Sequence, residues 1–124
     1  MATTTITLDN FEQTISEGGI VFVDFWASWC GPCRAFAPVF EAASEKHDDI
    51  VFGKVDTEDE QDLARGFQIT SIPTLMVFRE GILVYAQPGA LPAQHLEQLI
   101  EGARALDMDD VRRQLADQTA AASR

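Results

Sequence analysis

Residues 20–33 read Ile-Val-Phe-Val-Asp-Phe-Trp-Ala-Ser-Trp-Cys-Gly-Pro-Cys, and they are the most informative part of the sequence about the fold. Its first half, residues 20–26, is almost entirely apolar, which is typical of a strand buried on both faces at the centre of a sheet. Its second half holds Cys30 and Cys33, the two cysteines of the chain. From about residue 33 the apolar residues recur with helical spacing, so the cysteine pair lies at a strand-to-helix junction. Two thiols at such a junction indicate redox chemistry.

Three interpretations of the cysteine pair compete. A structural disulfide across so short a loop would stabilise the fold by only ~2 kcal/mol, against nearly ~5 kcal/mol for a loop of a hundred residues. A zinc site needs four ligands, and His47 and His95 lack the paired spacing of a zinc motif. A redox-active dithiol is favoured, because the helix N-terminus next to Cys30 stabilises a thiolate and lowers its pKa from ~8.5 by about a unit.

The composition limits the classes of partner and location. A chain of 124 residues forms one domain, and its 9 Lys and Arg against 20 Asp and Glu give a net charge of −11. That charge argues against binding to nucleic acid or to an anionic membrane. The sequence shows no signal peptide and no apolar run of ~20 residues, so a cytoplasmic protein is expected. In a reducing compartment a close cysteine pair is catalytic or metal-binding more often than structural.

The remaining sequence alternates strand and helix patterns. Strands are predicted at residues 3–8, 20–26, 50–55, 74–78 and 82–87, with helices after each of the first three strands and from Pro92 onward. Asp9 is predicted to cap the first helix, with Glu12 completing a capping box. The order β, α, β, α, β, α, β, β, α predicts an α/β layer structure with a mixed sheet. The tail from residue 107 is expected to form one or two helical turns and then fray.

Four short motifs, in this order along the chain, resemble the thioredoxin family. They are Val-Asp-Phe-Trp-Ala at 23–27, Trp-Cys-Gly-Pro-Cys at 29–33, Ile-Pro-Thr at 72–74 and Pro-Gly-Ala-Leu at 88–91. The resemblance implies the thioredoxin fold, a central mixed sheet of about five strands flanked by four helices, with the active site at the end of the central strand.

The likeness covers roughly residues 3–106. The chain therefore divides into a predicted thioredoxin domain, residues 1–106, and a C-terminal extension, residues 107–124.

The resemblance also implies a role for each site residue. Cys30, exposed at the helix N-terminus, would attack a substrate disulfide, and Cys33 behind it would resolve the mixed disulfide. Asp24 would accept the proton of Cys33, with Lys54 nearby tuning that carboxylate. The sequence supports Asp24 independently, because a charge inside an apolar strand is unfavourable unless it is used, and desolvation raises its pKa. The alternatives are that Asp24 lies at a solvated strand end and that Lys54 merely faces water.

A second chain segment is expected to face the cysteines. The resemblance implies a cis peptide bond before Pro73, which would present backbone groups to the substrate. A flat apolar surface that receives substrates would comprise Trp29, Gly31, Pro32, Ile72, Pro73, Gly89 and Ala90. Trp26 is instead predicted to lie in the core. Gln68 and Ser71 stand where the family has glycines, which predicts a different shape or stiffness for the loop that presents Ile72.

The function that the resemblance implies is reduction of protein disulfides by a monomer without a bound cofactor or metal. Electrons would come from NADPH through a thioredoxin reductase. One alternative is a thioredoxin-fold binding module or cochaperone with incidental redox activity, against which the intact residue set argues. Another is an oxidase or isomerase, but Gly31 and Pro32 between the cysteines favour a reductase by family resemblance.

Overall fold

One five-stranded mixed sheet organises the computed structural model, which describes residues 2–122. Its strands are β1 Thr3–Thr5, β2 Ile20–Trp26, β3 Val51–Asp56, β4 Thr74–Arg79 and β5 Ile82–Pro88, in the order β1-β3-β2-β4-β5. Strands β1, β3 and β2 run parallel, and β4 runs antiparallel to both of its neighbours. The apolar stretch thus forms the central strand, as the sequence predicts.

Helices cover both faces of this sheet. They are α1 Leu8–Glu17, α2 Gly31–Lys46, α3 Gln61–Gly66, α4 Ala93–Ala105 and α5 Met108–Ala122. Helices α2 and α4 pack on one face around Phe22 and Phe52, whereas α1 and α3 pack on the other around Val23 and Phe25. The predicted order of elements is confirmed, with a fifth helix added. Within residues 2–122, no helix is long and apolar enough to cross a membrane.

The first helix begins earlier than its sequence pattern predicts. Its N-cap is Thr7, whose side chain accepts a hydrogen bond from the Asn10 N–H while the Asn10 side chain accepts one from the Thr7 N–H. The predicted cap, Asp9, lies inside the first turn, so that assignment is wrong. The reason is tertiary: the Ile6 N–H donates to the Lys54 carbonyl at 2.9 Å, so the chain leaves the sheet at residue 6 and the next side-chain acceptor caps the helix.

The C-terminal extension is more ordered than predicted, because α5 runs for 15 residues instead of one or two turns. The Asp107 carboxylate accepts the N–H groups of Asp109 and Asp110, which satisfies two donors of the first turn. Arg113 pairs with Asp110 three residues earlier at 2.6 Å. These local contacts stabilise α5, although the tail has too few apolar residues to predict a long helix. Within the part of the tail that the structure describes, Met108 alone has a buried side chain.

Candidate active site

The cysteine pair lies where β2 passes into α2. Cys30 is the N-cap of α2, and its sulfur accepts a hydrogen bond from the Cys33 N–H at 3.2 Å. The two side chains form a disulfide, with Cα atoms 5.2 Å apart. The helix N-terminus therefore directs an N–H group at the Cys30 sulfur, the interaction that favours a thiolate there in the reduced state.

The expectation that Cys30 is exposed is wrong for this oxidised state. Cys30 is 4% exposed and Cys33 is 2% exposed, so burial alone does not distinguish them. The Cys30 sulfur lies 3.6 Å from the Ile72 carbonyl oxygen, and Ile72 packs against the cysteines. A segment from a distant part of the chain thus covers the sulfur that the local sequence pattern leaves open.

Asp24 lies within the central strand, two residues before its end, and is fully buried. Among the described residues, neither oxygen of its carboxylate has a hydrogen-bond partner. Burial raises the pKa of Asp24 from 3.8 to about 7, and the positive charge of Lys54 lowers it by a smaller amount. The solvated strand end considered from the sequence is therefore excluded, and the carboxyl group titrates near neutral pH.

Lys54 is the register partner of Asp24 on the neighbouring parallel strand β3. Side chains of such partners project from the same face of a sheet. The Lys54 ammonium lies 4.9 Å from the centre of the Trp26 ring, a cation–π contact. Trp26 is half-buried and packs against the cysteines, so its predicted place in the core is only partly correct. The reason is that β2 ends at Trp26, at the margin of the sheet.

The Ile72–Pro73 peptide bond is cis, as the family resemblance implies. This loop also approaches the segment after β5, because the Gly89 N–H donates to the Pro73 carbonyl at 2.8 Å. Gly89 has a φ of +111°, a conformation that a residue with a side chain rarely adopts. The structure therefore brings Cys30, Ile72, Pro73 and Gly89 together from three parts of the sequence.

The surface around the disulfide is open to solvent. Trp29 is 65% exposed, and Gly31, Pro32, Gly89 and Ala90 are exposed as well. Ile72 is half-buried and Pro73 is buried. This arrangement provides an accessible apolar surface beside the sulfurs.

One polar contact at this surface was not predicted. The Trp29 indole N–H donates to a carboxylate oxygen of Glu58 at 2.5 Å. From the sequence, the acidic run at 56–62 suggests only a solvated loop and the start of a helix. The available signal is topological: β2 and β3 are parallel neighbours, so the residues that follow them, Trp29 and Glu58, meet at one edge of the sheet.

The side chains at the site suit sulfur chemistry rather than metal binding. In residues 2–122, no cluster of three or more His, Cys, Asp or Glu side chains is arranged to hold a metal ion. The arrangement that is present, a dithiol oxidised to a disulfide with a buried carboxyl group on the central strand, can take part in thiol–disulfide exchange.

Comparison with known proteins places this site in a family. A sequence model of the thioredoxin family matches residues 2–102. A putative thioredoxin 2 of Streptomyces coelicolor is 54% identical over 121 residues, which is 98% of this chain and 90% of the relative. A thioredoxin of Alicyclobacillus acidocaldarius is 43% identical over 97 residues, covering 77% of this chain and 92% of that protein.

Solved structures of thioredoxins are also similar to this chain. Plasmodium falciparum thioredoxin is 38% identical with a TM-score of 0.75, covering 81% of this chain and 98% of that chain. A mutant thioredoxin from Halobacterium salinarum is 30% identical with a TM-score of 0.78, covering 84% of this chain and 92% of that chain. Both structural neighbours leave part of this chain unmatched, whereas the Streptomyces relative matches almost all of it.

Proposed function

Because the chain belongs to the thioredoxin family and carries the dithiol, it is a thiol–disulfide oxidoreductase that reduces protein disulfides, and we propose how its residues divide the reaction. The observation that carries the proposal is the Cys30–Cys33 disulfide at the N-terminus of α2, together with the buried carboxyl group of Asp24 on the preceding strand, which has no hydrogen-bond partner within residues 2–122.

The first step is attack by Cys30. Its thiolate attacks one sulfur of the substrate disulfide, forms a mixed disulfide and releases the other substrate sulfur as a thiolate, which takes up a proton. The N-cap position of Cys30 supports this assignment, because the N–H of Cys33 points at the Cys30 sulfur and stabilises negative charge on it. Trp29, Gly31, Pro32, Ile72, Pro73, Gly89 and Ala90 form the surface that receives the substrate.

The second step is resolution by Cys33. Asp24 accepts the proton of the Cys33 thiol, and the resulting thiolate attacks the Cys30 sulfur of the mixed disulfide. The second substrate sulfur leaves as a thiolate, which takes up a proton, and the protein retains the Cys30–Cys33 disulfide. A pKa of about 7 suits Asp24 to this role, because a general base works best when its pKa is close to ambient pH. Lys54 limits the rise in that pKa.

The electron route and the setting complete the proposal. A thioredoxin reductase that draws electrons from NADPH returns the disulfide to the dithiol, and the protein works as a monomer in the cytoplasm. The thioredoxin domain comprises residues 1–106, and residues 107–124 form an extension. The family match, which ends at residue 102, supports this boundary.

One assay tests the direction of the reaction and its electron source. The reduced protein should precipitate insulin by cleaving its interchain disulfides, and NADPH with a bacterial thioredoxin reductase should sustain the reaction. Cys30→Ser is the matched control and should be inactive. A wild-type protein that reduces insulin with dithiothreitol but never with NADPH and reductase would contradict the electron route alone.

A further inference from the structure

The loop that faces the Cys30 sulfur is held by hydrogen bonds on both sides of Ile72. Before it, the Ser71 carbonyl accepts a hydrogen bond from the Thr74 hydroxyl at 2.5 Å. After it, the Pro73 carbonyl accepts one from the Gly89 N–H at 2.8 Å. Between these two anchored carbonyls, the Ile72 carbonyl oxygen lies 3.6 Å from the Cys30 sulfur. The direction of the Ile72 peptide group is therefore set by its neighbours.

Thr74 is suited to hold this loop rigidly. It is the first residue of β4, it is 8% exposed, and its register partners are Phe25 on β2 and Pro88 on β5. Its branched β-carbon restricts the side-chain torsion, so the direction of the hydroxyl is tied to the strand. Pro73 has no N–H group, so the backbone of that residue cannot donate a hydrogen bond inside the loop. The Thr74 hydroxyl thus links the hydrogen-bonded start of β4 to Ser71.

The geometry points to Thr74 as a positioning residue: we propose that its hydroxyl fixes the Ser71–Pro73 loop so that the Ile72 peptide group is ready to align a substrate chain against Cys30. This proposal rests on the proposed role of that loop in substrate binding. It concerns extended polypeptide substrates, because a disulfide without a peptide chain has no backbone to align.

The substitutions that test it differ only in the hydroxyl and the methyl group. Thr74→Val keeps the shape and removes the donor, whereas Thr74→Ser keeps the donor and removes the methyl group. Both are made in the Cys33→Ser background, where Cys30 forms a mixed disulfide that is not resolved. The rate of that step is measured with a disulfide-linked peptide and with a small aromatic disulfide, 5,5′-dithiobis(2-nitrobenzoate). Neither reaction needs NADPH or a reductase, so a wrong electron route leaves both readouts intact.

The expected result is selective. Thr74→Val should slow reaction with the peptide by about fivefold, the factor that corresponds to one neutral hydrogen bond, and should change the rate with the small disulfide by less than about twofold. Thr74→Ser should recover most of the peptide rate. Equal losses with both disulfides, no loss with the peptide, or no rescue by serine would each overturn the proposal. If the valine variant does not fold, Thr74→Ala removes the same hydroxyl and is judged by the same ratio of rates.

Discussion

Charged side chains have opposite environments at the two ends of the sheet. Asp24, toward the end where β2 stops, is fully buried and its oxygens have no hydrogen-bond partner among the described residues. At the other end, Glu80 in the turn after β4 pairs with Arg112 of α5 at 2.9 Å, with both side chains nearly half exposed. A buried unpartnered carboxylate destabilises a fold strongly, whereas an exposed ion pair contributes ~0–1 kcal/mol. The large electrostatic penalty lies at the end where the proposed reaction needs a proton acceptor.

At the end of the sheet near the β4–β5 turn, helix α5 is attached without burial of an unpaired charge. Arg112 also pairs with Asp109 within α5, and Arg79 donates to the Ala103 carbonyl at the C-terminus of α4. Between α5 and β5 lies a groove of about 360 Å³. Its lining residues are all uncharged: Ile82, Leu83, Val84, Leu106, Val111, Gln114, Leu115 and Gln118. The extension is therefore joined to the domain through modest apolar contact and surface ion pairs.

The largest expected effect at the catalytic end follows from Cys33→Ser. Because the second sulfur is missing, the mixed disulfide on Cys30 has no internal nucleophile, and turnover with insulin should stop. Covalent complexes with substrate proteins should accumulate and disappear when dithiothreitol is added, as seen by non-reducing gel electrophoresis. A variant that turns over normally and accumulates no complex would remove the resolving role of Cys33.

A change in stability with pH is expected next, and it should depend on Asp24. Its pKa is 3.8 in the unfolded chain and about 7 in the fold, so between these values the native state binds the proton that the unfolded state has released. The contribution of Asp24 to stability is therefore greatest below about pH 4, falls as the pH rises, and levels off above about 7. The loss amounts to about 4 kcal/mol, since one pKa unit corresponds to ~1.4 kcal/mol.

Asp24→Asn tests that linkage, because asparagine does not titrate. Denaturant unfolding of the oxidised protein at pH 4 and pH 8 should show a smaller fall in the free energy of unfolding for the variant than for the wild type. Asp110→Asn on α5 is a matched control, because its exposed carboxylate has a pKa that Arg113 lowers rather than raises. Identical pH dependence in wild type and Asp24→Asn would refute the raised pKa.

The kinetic effect of Asp24→Asn is expected to be smaller. Without the buried proton acceptor, resolution of the mixed disulfide should slow by about tenfold or more, while attack by Cys30 should change little. In the wild type the rate of resolution should rise with pH through about 7, as Asp24 loses its proton, and in the variant this rise should be absent. Stopped-flow measurement of the two steps separates them; equal slowing of attack and resolution would argue against a specific role in proton transfer.

The smallest effect on activity is expected at the far end. Deletion of residues 107–124 should leave insulin reduction unchanged, because α5 contacts the end of the sheet that is remote from the cysteines. Stability should fall by about 2 kcal/mol, roughly the value of burying the Met108 side chain. Arg112→Ala is the milder matched variant and should lower stability by less than about 1 kcal/mol. Loss of activity in a truncated protein that still unfolds cooperatively would show that the two ends are coupled.

Most of the fold is predictable because its signals are local. The apolar run at residues 20–26 predicts the central strand without error, since a continuous apolar run bounded by Gly19 has few other solutions. The cap of the first helix is Thr7 rather than Asp9, because the choice depends on where the chain after β1 stops pairing with β3. Helix α5 is longer than predicted, because polar contacts between its own residues stabilise it and few apolar residues mark its length in the sequence.

The site is predictable in its residues but less so in its contacts. The cysteine pair and the charged residue in an apolar strand both stand out in the sequence, and the family resemblance adds Pro73 and Lys54. The hydrogen bond from Trp29 to Glu58 and the cover that Ile72 provides over Cys30 join residues that are 29 and 42 positions apart. No local sequence pattern predicts contacts between residues so far apart in the chain.

The order of the elements and the redox pair at the junction of β2 and α2 can be predicted from the amino-acid sequence, because periodicity and cysteine spacing are patterns of a few neighbouring residues. The tertiary structure alone decided that the Asp24 carboxyl group is buried without a hydrogen bond to the described residues, that Ile72 covers the Cys30 sulfur and that Arg112 meets Glu80. These features depend on which strand ends and loops come together. Burial and pairing are properties of the packed sheet, whereas the sequence pattern shows only which residues tend to be buried or paired.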